Sequence, residues 1–143
     1  MVLVRISTRD EFVRSAKLEK LIDGDTLRVR IDLGWGADLI HDVRLAGVNT
    51  PENRGPEREA GLYVTNQVGM YLAGNPPLTI RSRDFKFGKF GRCVCDVYVR
   101  DNHSSLNVWL IESGYAWTTD DGGSLMVPRE LSLLTGLPEE LRT

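Results

Sequence analysis

The order in which two hydrophobic periods follow one another constrains this chain most. Over residues 26–33, Leu27, Val29, Ile31 and Leu33 fall on one face and Arg28, Arg30 and Asp32 on the other. That is the period of a strand. Residues 16–22 alternate more loosely and run into Asp23-Gly24-Asp25, while residues 40–48 read as a third strand closed by Asn49-Thr50-Pro51. Then the period lengthens. Gly55-Pro56-Glu57 opens a helix, with proline in the first turn and a carboxylate at the positive dipole end. Ala60, Val64, Val68 and Leu72 recur every four residues before Gly74-Asn75-Pro76-Pro77 stops the pattern. Residues 78–83 and 93–99 return to strand, joined by the basic loop Lys86-Phe87-Gly88-Lys89-Phe90-Gly91. A short helix follows over residues 106–113 with Gly114 just past its end, and Pro128 and Pro138 each open a further short one.

Three strands, a helix and two strands is the ordering of a five-stranded OB-type barrel. The expected class is therefore α+β, mostly β, with a helix between strands three and four and short C-terminal helices. The 143 residues, 41% of them hydrophobic, suit a single domain over 1–143. No run approaches the roughly 18 apolar residues of a membrane span, so no membrane partner is expected. Charge enters too early after Met1 for a secretory leader, and we expect a cytoplasmic protein. Cys93 and Cys95 share one strand face and read as reduced thiols packed as small hydrophobes. Oligomeric state is not encoded in any pattern here. The net charge of −2 does not advertise a nucleic-acid binder, yet residues 81–100 carry a local +4 and the chain after Gly114 carries −3. A local basic stretch can hold phosphates on a mildly acidic chain.

Three segments could carry chemistry. Asp23-Gly24-Asp25-Thr26 places two carboxylates around a glycine, either a hard-oxygen cation site or a tight hairpin turn. In Val43-Arg44-Leu45, the apolar pair suits the barrel interior, so Arg44 projects from the other face and needs a carboxylate or a phosphate. In Phe90-Gly91-Arg92, a glycine-hinged loop hands an arginine to the start of a strand.

Taken in order, Asp-Gly-Asp-Thr at 23–26, Arg-Leu-x-Gly-Val-x-Thr-Pro-Glu at 44–52, Phe-Gly-Arg at 90–92 with Val97-Tyr98-Val99, Leu106-Asn107, and Gly114-Tyr115-Ala116 resemble the staphylococcal nuclease (thermonuclease-like) family. The resemblance runs over residues 17–116 and fails over 117–143. It implies a Ca2+-dependent nuclease that hydrolyses DNA and/or RNA, with single strands preferred, and leaves 3′-phosphate ends. It further implies that Asp25 and Asn49 bind Ca2+ by their side chains and Thr50 by its carbonyl. Glu52 would orient or deprotonate the attacking water, and Arg44 and Arg92 would grip the scissile phosphate. The chemistry asks for such groups in its own right. Attack on a phosphodiester builds negative charge that guanidinium groups and a cation stabilise, and a carboxylate takes the water's proton.

Three departures accompany the resemblance. Asn49 stands where the family commonly has an aspartate, and Asp23 is near enough in sequence to compensate. Only Asn53 and Arg54 separate Glu52 from the helix start, where familiar members have a long loop. After Ala116 the chain offers Trp117, a stacking face or a core residue, and the acidic pair Asp120-Asp121. Two other functions fit the same residues: a catalytically silent OB-fold module that binds nucleic acid or protein, and a purely structural component of a larger complex.

Overall fold

A computed structural model describes residues 12–84 and 92–143. Five strands close into a barrel in the order β1-β2-β3-β6-β5. β1 (Val13–Asp23), β2 (Thr26–Gly34) and β3 (Ala37–Leu45) form an antiparallel meander, β5 (Leu78–Asp84) returns beside β1, and β6 (Arg92–Val99) closes the ring parallel to β3. A two-residue strand β4 (Val48–Asn49) leaves the barrel and pairs with β7 (Trp117–Thr118). Between β4 and β5 lies α1 (Arg58–Tyr71), entered through a single 3-10 turn at Gly55–Glu57, and α2 (Leu106–Glu112) follows β6. This is the expected mostly-β barrel of OB type with its helix between the third and fourth barrel strands.

Alternation fills the interior. Leu27, Val29 and Ile31 of β2, Val43 and Leu45 of β3, and Cys93, Cys95, Val97 and Val99 of β6 are buried. Each such aliphatic burial contributes about 1.5–3 kcal/mol. The α1 stripe Ala60, Val64, Val68 and Leu72 covers one end of the barrel. Both cysteines are free thiols and belong to this core.

Several boundaries differ from the sequence reading, each for a local reason. Leu33 is 40% exposed because the β2–β3 hairpin has already left the core. The third strand does not run to residue 48. It ends at Leu45, where the Ala46 N–H turns to the Cys95 carbonyl and Gly47 adopts φ 75°, and Val48 restarts as β4. The two C-terminal helices are single 3-10 turns at Leu131–Leu133 and Glu139–Leu141. The expected basic loop at 86–91 lies outside the described residues.

Candidate active site

The β1–β2 hairpin turns on Gly24, and a Cβ there would stand 2.9 Å from Val64 Cγ1 and 3.0 Å from Thr50 Oγ1. Only glycine lets this turn lie flat against α1 and the segment after β4. The turn delivers Asp25 into a pocket where its residue is 7% exposed. Register explains its neighbour: Arg44 is the cross-strand partner of Thr26, so its guanidinium comes to the end of β2. Arg44 Nη1 lies 2.8 Å from Asp25 Oδ2, which also accepts the Thr50 N–H at 2.9 Å, while Thr26 Oγ1 donates to Asp25 Oδ1 at 3.1 Å.

Asp23 and Asp25 divide their protons unequally. Burial, then the hydrogen bond and charge of Asp25, push the Asp23 carboxyl up to about 7. Burial acts the same way on Asp25, but the Asp23 hydrogen bond, the Arg44 charge and the Thr50 N–H outweigh it and hold Asp25 below the usual carboxylate range. The Thr50 hydroxyl is buried beside this pair and adds to the lowering of Asp25. Among the described residues there is no cluster of three or more His, Cys, Asp or Glu suited to a metal. What the turn offers instead is two carboxylates with the Thr50 hydroxyl beside them, all hard oxygen donors of the kind Ca2+ takes. The donor types suit such an ion, while Asp25 is already paired with Arg44 and Asp23 holds its proton up to about neutral pH. Asn49 is half-buried in β4, immediately before Thr50.

Glu52 emerges two residues beyond Thr50 and its side chain is 54% exposed. Its backbone is held closely. The Glu52 N–H donates to Glu57 Oε1 at 3.0 Å, and the Glu52 carbonyl presses on Gly61 of α1, where no Cβ would fit. Glu57 in turn receives a two-pronged bond from Arg129, Nη2 to Oε1 at 2.7 Å and Nε to Oε2 at 2.9 Å. Arg129 Nη2 is also 3.9 Å from Glu52 Oε1, and its guanidinium lies 4.6 Å over the Trp117 ring.

The structure thus gathers Asp25, Arg44 and Thr50 in direct contact, and the chain leads within two residues from Thr50 to Glu52. Arg92 opens β6 opposite Asp42 of β3, two residues before the register position that faces Arg44. The described residues do not extend to Phe90 or Gly91. A groove of about 650 Å³ runs past Arg44, Arg83, Asp120 and Asp121. Arg83 is already paired with Asp96 at 2.8 Å, and the acidic pair faces the same groove as Arg44. Trp117 is 2% exposed and donates its Nε1–H to the Glu130 carbonyl, so it is core and not a stacking face.

Sequence reasoning missed Glu57, Arg129 and the role of Asn107. Asn107 is buried on α2, donates to the Ala46 and Cys95 carbonyls at 2.8 and 3.0 Å, and accepts the Val97 N–H at 3.0 Å. It fixes the bend that sends β3 into β4. The signal available was an amide inside an apolar helix face, which needs partners. Nothing local marks Arg129, which is 72 positions from Glu57.

The model of the family described as staphylococcal nuclease homologue matches residues 42–126, more than half of the chain. The chain belongs to that family. No curated protein is matched by the chain. Members of the staphylococcal nuclease family are typically nucleases that use Ca2+, which gives the carboxylate turn and the arginine beside it a chemical context. The match takes in Arg44, Asn49, Thr50, Glu52 and Arg92. It begins after Asp25 and ends before Arg129.

Proposed function

We propose that this protein is a Ca2+-dependent phosphodiesterase that hydrolyses DNA and/or RNA and leaves 3′-phosphate ends. The observation that carries the reading is Asp25, a buried carboxylate bonded at once to Arg44 and to the backbone of Thr50, in a chain of this family. Asp25, Asn49 and Thr50 would hold Ca2+, with Asp23 adding the charge that Asn49 lacks. When bound, the ion supplies Lewis-acid stabilisation of the developing phosphoryl charge. Glu52 takes a proton from the attacking water, general base help worth about 10²–10⁴-fold. The new P–O bond forms as the P–O5′ bond breaks, and the departing oxygen takes a proton from solvent and leaves as a 5′-hydroxyl. Arg44, held in place by Asp25, and Arg92 stabilise the phosphoryl oxygens, a role suited to a planar fork.

One observation favours a second reading, a silent nucleic-acid-binding module. Asn49 is uncharged, and Arg44 already pairs with Asp25. Incubation of the purified protein with single-stranded DNA and RNA, in Ca2+ or chelator, separates the two. Calcium-dependent cleavage to 3′-phosphates that falls by about 10²-fold or more in Glu52→Gln, with Ca2+ affinity kept, supports the nuclease. Salt-sensitive binding with no cleavage in any ion supports the module.

A further inference from the structure

The residue that steadies Glu52 comes from beyond the part of the chain matched to the family. We propose that Arg129 is a positioning residue for Glu52, acting through the carboxylate of Glu57. This rests on the reading of Glu52 as the water-activating group.

The argument starts from what an exposed general base requires. A side chain reaching into solvent must have its backbone held, because a displacement of about 1 Å can cost on the order of 10²-fold in rate. Here only Asn53 and Arg54 link Glu52 to the 3-10 turn before α1. Several contacts hold this short link, among them a bond from Asn53 Nδ2 to the Ile22 carbonyl at 3.5 Å. Asn53 accepts from Thr65 Oγ1 at 3.0 Å, the Glu52 carbonyl abuts Gly61, and the Glu52 N–H reaches Glu57 Oε1. The last contact is only as well directed as the Glu57 carboxylate, and Arg129 sets that direction by engaging both of its oxygens. A two-point guanidinium–carboxylate pair fixes a plane, which a single ammonium contact does not.

Arg129 is itself anchored. It stacks over buried Trp117, and the next residue, Glu130, accepts the Trp117 indole N–H at 3.0 Å. Trp117 is paired through β7 with Asn49 of β4. One connected path therefore runs from β4 through Trp117, Arg129 and Glu57 back to Glu52. The 3.9 Å separation of Arg129 from the Glu52 carboxylate is too long for a strong direct bond but keeps a positive charge beside it.

The test uses the full chain with single-stranded DNA and Ca2+, and two readouts. Arg129→Ala should lower kcat by about 10- to 10²-fold with KM and Ca2+ affinity nearly unchanged. Arg129→Lys should recover part of the loss. In a Glu52→Gln background, Arg129→Ala should cost nothing further, because its effect passes through Glu52. Independently of activity, amide hydrogen exchange at Glu52 should speed up in Arg129→Ala and in Glu57→Gln. A raised KM with unchanged kcat and a shallower salt dependence would overturn the proposal and make Arg129 a phosphate ligand. Unchanged kcat and unchanged Glu52 exchange would reduce the pair to a surface ion pair. If the parent protein does not cleave, the nuclease reading falls, and the exchange measurement still decides whether Arg129 holds Glu52. Should Arg129→Ala unfold, Arg129→Lys and Glu57→Gln carry both readouts.

Discussion

At the end of the barrel Asp25 is 7% exposed and its carboxylate meets Arg44, the Thr50 N–H and the Thr26 hydroxyl, whereas at the rim Glu52 is 54% exposed at its side chain and is steadied from behind by Glu57 and Arg129. The first group is made by register. Thr26 faces Arg44 across β2 and β3, and the Gly24 turn drops Asp25 beside it. The second is made by a segment arriving 72 positions later. Burial makes the first group costly to break and sets its proton occupancy, while exposure leaves the second cheap in stability and sensitive in geometry. A site divided this way can lose positioning without losing its fold.

The largest expected difference between the two groups is in stability. Arg44→Ala removes the cation beside a carboxylate that stays buried, and should cost about 3 kcal/mol, the lower end for breaking a buried pair because Arg44 keeps partial exposure. Arg129→Ala breaks a pair nearer the surface and should cost about 1 kcal/mol or less. Urea denaturation of both variants in chelator checks the contrast. Equal losses would mean that the rim is part of the structural core and would end the distinction drawn here.

A smaller effect sharpens the boundary between the groups. Asn49 lies in β4 just before Thr50, the residue whose N–H caps Asp25. Adding charge there should tighten Ca2+ binding, so Asn49→Asp is expected to lower the calorimetric Kd by about tenfold, or about 1.4 kcal/mol. An unchanged Kd would remove Asn49 from the ligands and leave Asp23 as the second source of charge.

The barrel was legible because its signals are local and repeated. Leu27, Val29 and Ile31 announce the buried face of β2, and the four-residue spacing of Ala60, Val64 and Val68 announces the helix that covers one end. Arg44 was legible for the same reason, since an arginine between two core residues must leave the barrel face and find a partner. The division of the third strand was not, because it depends on Asn107 of α2 drawing the Ala46 carbonyl away from the sheet direction. Nor was Arg129, whose meaning comes from Trp117 beneath it and Glu57 beside it, neither of them near it in sequence. Trp117 read more readily as a core residue than as a face for a nucleobase, and its ring is buried.

The smallest expected effect is the pH response of the buried group. The Asp23 carboxyl is pushed up to about 7 from an ordinary value of 3.8, so its stabilising contribution is fully present below pH 3.8 and is lost as the pH rises through about 7. Asp25 and Glu57 are shifted the other way, and their contributions, present above ordinary carboxylate values, are lost as the pH falls. Asp23 therefore acts on the neutral side and the two lowered carboxylates on the acid side, and because the Asp23–Asp25 pair shares its protons the opposing shifts partly offset. In chelator the melting temperature should fall by a few degrees between about pH 5 and pH 7.5, and Asp23→Asn should flatten that fall, since an amide cannot lose the proton. A slope that survives Asp23→Asn would place the titrating group elsewhere. A slope abolished by Arg129→Ala would show that the rim, and not the buried pair, governs stability near neutral pH.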